Sequence, residues 1–136
     1  MHNDLTFKKA AQIFLTSNER GITINFFKGK ELLVGQLFKS ADFEKGEWEG
    51  FSFLKKNSNI LMLHFNDEKT YEKFKNNNLA KRFIRVRLKD ETFYVYNFSV
   101  SNPFRAYKLI NTIRKVLNPI YEFNEKELLE FEVVTY

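Results

Sequence analysis

Residues 81–100 read KRFIRVRLKDETFYVYNFSV. Two runs of alternating side chains meet at Asp90–Glu91, a pattern that predicts a β-hairpin with its turn centred there. In that register Leu88 faces Phe93, and the pairs continue as Arg87–Tyr94, Val86–Val95, Arg85–Tyr96, Ile84–Asn97 and Phe83–Phe98. Successive strand residues point to opposite sides of a sheet. One side therefore carries Ile84, Val86, Leu88, Phe93 and Val95, the expected core. The other carries Phe83, Arg85, Arg87, Lys89, Tyr94, Tyr96 and Phe98, an expected open face of cations beside rings. A turn of odd length would change the cross-strand partners without changing which residues of each strand share a face.

An isolated hairpin is marginal in water, so the neighbouring segments must complete the sheet. Upstream, Phe7, Ala10, Ala11 and Phe14 recur at helical spacing, predicting a helix from Leu5 to about Ser17 with Asn3 or Asp4 as its cap. Ile22, Ile24 and Phe26 alternate, the KGK at 28–30 turns the chain, and a second strand runs from Leu32 to Phe38. A polar loop (39–47) leads to two further expected strands, WEGFSFLKK (48–56) and NILMLHF (59–65), which would complete a four-strand meander. Asn66 and Asp67 open a helix expected over Asp67–Asn77, where early acids suit the positive helix end.

After the hairpin, SNPFRAYKLINTIRKVLNP (101–119) is the clearest helix of the chain. Ser101 or Asn102 caps it, Pro103 occupies its first turn, and Pro119 is expected to end it. Ala106, Leu109, Ile110, Ile113, Val116 and Leu117 form its apolar face. In the last segment Leu129, Phe131 and Val133 alternate with Glu130 and Glu132, which favours a strand. The order is α-ββββ-α-ββ-α-(β). It predicts an α+β fold with a mostly antiparallel sheet and helices packed on one face, in a single domain spanning residues 1–136.

With 136 residues, 43% hydrophobic and 29% charged, the chain has the makeup of a globular domain. Its 16 Phe and 6 Tyr against 5 Gly and 2 Pro favour packed elements over long loops. It contains no Cys, which excludes disulfides and thiolate metal sites. The N-terminal stretch lacks the apolar centre of a signal peptide, and no apolar run is long enough to span a bilayer, so a cytoplasmic protein without a membrane partner is expected.

Catalytic chemistry has little to stand on. The histidines are His2 and His64, and His64 shares a strand face with Ile60 and Met62. No cluster has metal-ligand spacing, and no glycine-rich phosphate loop or nucleophile elbow occurs. No catalytic residue, metal or cofactor is expected, and a non-enzymatic role is favoured.

The net charge of +5 is concentrated. Residues 81–115 hold nine cations and two anions, a net of +7, which leaves −2 for the rest of the chain. The last helix adds Arg105 and Lys108 near its start, where the helix dipole gives them nothing. The acidic tail (Glu122, Glu125, Glu127, Glu130, Glu132) is the competing explanation, by folding back over that helix.

Arg and Tyr are enriched where interfaces gain most of their energy. The expected function is a small binding module — adaptor, chaperone, inhibitor or immunity-type protein — that docks a partner protein through Phe83, Arg85, Arg87, Lys89, Tyr94, Tyr96 and Phe98, with Arg105 and Lys108. The alternative is a single-stranded nucleic-acid or RNA binder, with phosphates on Arg and bases stacked on the rings. An open aromatic face also allows pairing with a second copy as a homodimer.

Overall fold

The alternating segments assemble into one six-stranded antiparallel sheet with three helices, an α+β fold, in a computed structural model that describes residues 6–16, 21–29, 32–40, 58–65, 67–99, 102–121 and 130–135. The strands are β1 (Ile22–Lys28), β2 (Leu32–Lys39), β3 (Asn59–Leu63), β4 (Ile84–Leu88), β5 (Glu91–Phe98) and β6 (Glu130–Thr135). The helices are α1 (Phe7–Thr16), α2 (Glu68–Lys75) and α3 (Ala106–Tyr121). Across the sheet the strands lie in the order β4-β5-β3-β2-β1-β6. β2 pairs directly with β3; the strand expected at 48–56 lies outside the described residues.

One face of the sheet carries the helices. Ile24 and Phe26 of β1, Leu37 of β2 and Leu61 and Leu63 of β3 are buried with Phe14 of α1, Phe74 of α2, and Leu109, Ile113 and Leu117 of α3. Gly35 of β2 sits where α3 comes closest. A methyl group there would touch Leu117 Cδ2 at 3.5 Å, so a larger side chain would push the helix off the sheet. The opposite face has its own cluster of Ile60, Met62, Val86 and Val95, with Phe38, Ile84 and Phe93 against it. Of the hairpin residues expected as core, Val86 and Val95 are buried and Ile84, Leu88 and Phe93 half-buried, on the side away from the helices. Tyr94 and Tyr96 of β5 lie on the helix side, because they pair with Leu63 and Leu61.

The hairpin turn falls on Lys89–Asp90, one position earlier than expected. Leu88 pairs with Glu91, Arg87 with Thr92, Val86 with Phe93, Arg85 with Tyr94 and Ile84 with Val95. Lys89 adopts φ 56°, since two-residue hairpins of right-handed twist need a left-handed residue in the loop. Partners move by two, so every residue keeps its face.

Local signals account for most of the boundaries. Thr6, rather than Asn3 or Asp4, caps α1: its hydroxyl accepts from Lys9 N–H at 3.2 Å. Asn3 and Asp4 lie outside the described residues. Asp67 caps α2 by accepting from Thr70 N–H at 2.7 Å, which lowers its own pKa. Asn102 accepts from Phe104 N–H at 2.9 Å and opens a short 3-10 turn, Pro103–Arg105, ahead of α3.

Pro119 does not end α3; the helix runs through it to Tyr121. The residues after it are held from outside. Ile120 is buried, the Tyr121 hydroxyl donates to the His64 carbonyl, and the Lys28 ammonium donates to the Tyr121 carbonyl at 2.7 Å. Tertiary contacts here outweigh a lost helical hydrogen bond.

The tail forms β6 along β1, with Phe131 opposite Phe26 and packed on Phe7 at 5.5 Å between centroids. Glu130 and Glu132 pair with Phe27 and Asn25, which puts them on the face away from α3. These two acids therefore do not neutralise the basic helix. Glu122, Glu125 and Glu127 lie outside the described residues.

Candidate functional site

At the β4 side of the sheet an open groove of about 480 Å³ is lined by Leu63, His64, Phe65, Tyr71, Arg85, Thr92, Phe93 and Tyr94. It forms because β3 ends at Leu63 while β5 and β4 continue beyond it, and α2 stands over the gap. Leu63, Phe65 and Phe93 make its apolar surface. Among the described residues its polar side-chain groups are a guanidinium, two phenols, a hydroxyl and an imidazole, with no carboxylate.

A chain of ring contacts builds the wall. Phe74 of α2 meets Phe83 edge-on at 5.0 Å, and lies 5.1 Å from both Phe65 and Tyr94. Phe83 continues to Tyr96 at 5.5 Å, and Tyr96 stacks on Phe98 at 5.5 Å. Tilted and edge-on arrangements of this kind add to simple area burial. The Tyr71 and Tyr94 hydroxyls share a hydrogen bond at 3.0 Å. That bond, followed by burial, raises the Tyr94 pKa, and the Arg85 cation opposes the shift. Two hydroxyls that share one hydrogen bond leave one O–H of the pair to be donated outward.

A β-bulge positions His64. The register between β1 and β2 shifts after Phe26, leaving Val34 as the extra residue, and its carbonyl accepts from His64 N–H at 3.0 Å. His64 Nε2 is 2.6 Å from Gln36 Oε1, and Gln36 donates its Nε2–H to Asn25 Oδ1 at 2.9 Å. A carboxamide oxygen only accepts, so the imidazole carries its proton on Nε2. Burial lowers the His64 pKa below the ordinary 6.5. The unfolded chain therefore takes up this proton at higher pH than the folded one. Stability from this group is complete above pH 6.5 and declines as pH falls through that value toward the lower folded pKa. Urea unfolding followed one pH unit above and below 6.5 checks this: the wild type loses stability on the acid side, and His64→Gln removes that slope.

The structure keeps Arg85 beside Tyr94 in the groove and separates the other residues expected to act together. Arg85, Arg87 and Lys89 are exposed along β4 and its turn, and β4 is an edge strand. Tyr94, Tyr96, Phe98 and Phe83 are half-buried against the helix-side core. Arg105 and Lys108 are exposed but belong to the turn and helix packed with α1, which lies over β1 toward the other edge of the sheet. They do not join the groove.

Tyr71, Phe65 and His64 line the groove without having been expected there. The first two read in the sequence as part of a helix stripe and a strand end, and His64 as a core or edge residue. Nothing local signals their meeting, which depends on where α2 crosses the end of β3. Among the described residues, no group of His, Asp or Glu could hold a metal ion, and no helix is long and apolar enough to cross a membrane. The chain matches no family model, no curated protein and no solved structure with which it was compared.

Proposed function

We propose that this protein is a non-enzymatic binding module that docks a partner protein through the β4 edge and the groove beside it. One observation carries the reading: Arg85 stands exposed beside the Tyr71–Tyr94 hydroxyl pair, at the mouth of a groove of mixed polar and apolar lining that has no carboxylate among the described residues. Such a groove suits a protein segment with an acidic side chain next to an apolar one. The carboxylate meets Arg85, with Arg87 one step along the edge, and the apolar side chain fills the space over Leu63, Phe65 and Phe93. Charge-assisted hydrogen bonds of this type are the stronger ones.

The ring contacts favour a protein over a single-stranded nucleic acid. Base stacking needs free ring faces. The faces of Phe83, Tyr96 and Phe98 are turned to one another. Those of Tyr94 and Tyr71 meet Phe74 and Phe65.

A displayed peptide library selected on the purified protein tests this. The expected winners pair Asp or Glu with an aromatic or aliphatic residue. Arg85→Glu with Arg87→Glu weakens them about thirtyfold or more, with an unchanged melting temperature because both side chains are exposed. Selected peptides without acids, or peptides that bind the double variant as well as the wild type, refute the proposal. A single-stranded oligonucleotide bound at the same residues with a steep salt dependence refutes it in favour of nucleic acid.

A further inference from the structure

The helix layer has an outer surface that the groove does not use. Phe104 is 90% exposed and Tyr107 55% exposed, one helical turn apart at the start of α3. Ile13 of α1 is exposed on the same layer, and the turn holding Phe104 packs against α1. Neither α1 nor α3 contains an acid. Lys8, Lys9, Arg105, Lys108, Arg114 and Lys115 are all exposed there, and none forms an ion pair among the described residues. α2, which packs against α3 in the same layer, behaves ordinarily: it contains Glu68 and Glu72, and Lys75 pairs with Glu72 at 2.9 Å.

Phe104, Tyr107 and Ile13 exposed on one layer, rimmed by cations, make an apolar patch with a polar rim, the pattern of an interaction surface. We propose that this outer face lies on an anionic lipid bilayer, with Phe104 as an inserted wedge and Tyr107 at the headgroup level. Charge selects the occupant class. Six exposed cations without a counter-charge among the described residues fit a continuous negative surface and would repel a second copy of the same face. Shape selects the bilayer. Phe104 projects from the layer, so it offers no groove to a partner helix and no channel in which bases stack in sequence. A projecting Phe flanked by an amphipathic Tyr and by Lys and Arg is how a peripheral protein seats itself at the headgroup boundary. Attachment of this kind needs no membrane-spanning helix.

Co-sedimentation of the purified chain with vesicles tests the proposal. One set is phosphatidylcholine alone, and the other is phosphatidylcholine and phosphatidylglycerol in equal parts. The wild type is expected to bind the second set and leave the first in solution. Phe104→Ala, and separately Arg105→Glu with Lys108→Glu, each reduce binding on the order of tenfold. Circular dichroism verifies that these exposed positions leave the fold intact. Raised salt removes most of the binding. Failure to bind the anionic vesicles overturns the proposal, as does binding unaltered by both variants. A single-stranded oligonucleotide that displaces the vesicles and loses its own affinity in the same variants assigns the surface to nucleic acid, and equally overturns it.

Discussion

Phe74→Ala is expected to destabilise the protein by about 3–5 kcal/mol and to open the groove. The reason lies in α2. It has 8 residues, and Phe74 is its buried side chain. A helix that short does not hold itself together in water; its place depends on what its apolar side buries. Phe74 is 2% exposed and touches Phe65, Phe83 and Tyr94 with centroids about 5 Å away, and it stacks more loosely on Tyr71 at 6.5 Å. Truncation removes this hub and leaves a cavity under the helix. Tyr71 then loses its support, and with it the hydroxyl contact that raises the Tyr94 pKa. Urea unfolding should show the loss of stability, with a fall in melting temperature of roughly 10–20 °C. A spectroscopic tyrosine titration of the folded variant should show one group returning toward the ordinary value. A loss under about 1 kcal/mol would mean that α2 is held by something other than this ring.

Tyr121→Ala should cost a similar amount, about 3–5 kcal/mol, for a different reason. Tyr121 is 6% exposed and closes α3 beyond Pro119, where the helix lacks a backbone donor. Its hydroxyl donates to the His64 carbonyl, tying α3 to the end of β3, and its own carbonyl accepts from Lys28 at 2.7 Å. Burial holds its pKa well above the usual phenol range, so it remains a donor at any pH the fold survives. Tyr121→Phe keeps the ring and deletes only the donor, which should cost about 1–2 kcal/mol. The difference between the two variants, read from denaturation midpoints, separates ring packing from the hydrogen bond. In Tyr121→Ala the helix should also shorten, ending near Asn118, with a smaller helical signal in circular dichroism. Equal effects of Phe and Ala would show that the ring contributes nothing, against its burial.

The elements legible in the sequence are those whose cause is local. α3 announced itself by an unbroken apolar stripe, and α2 by Asp67 ahead of a polar helix. β6 was visible in the alternation of Phe131 and Val133 with glutamates. The hairpin was recognisable although its turn sat one residue early. Alternation has a period of two, and a two-residue change of register is invisible to it. The errors at helix ends follow the same logic. Thr6 lies outside the apolar repeat and still caps α1. Pro119 is a helix breaker by its own chemistry, overruled by Ile120 and Tyr121, whose burial no local rule reports.

The candidate site was legible only in part. Arg85, Arg87 and Lys89 could be placed on the same side as Tyr94 and Tyr96 from alternation alone. Whether that side met water or another layer could not. The half-burial of the rings follows from β5 pairing with β3 beneath α2, a long-range contact. His64, Phe65 and Tyr71 reach the groove only because β3 stops short and a bulge at Val34 sets the chain's exit.

The order of side chains thus determined by itself that this chain forms an antiparallel sheet with helices, and which residues of each strand stand together, since both follow from periodicities of two and of 3.6. Only the tertiary structure decided which of those faces the helices cover, and so which cations and rings remain in water. That choice is made by packing between segments far apart in the chain, where apolar area is removed from water wherever it fits best, and no nearest-neighbour pattern encodes it.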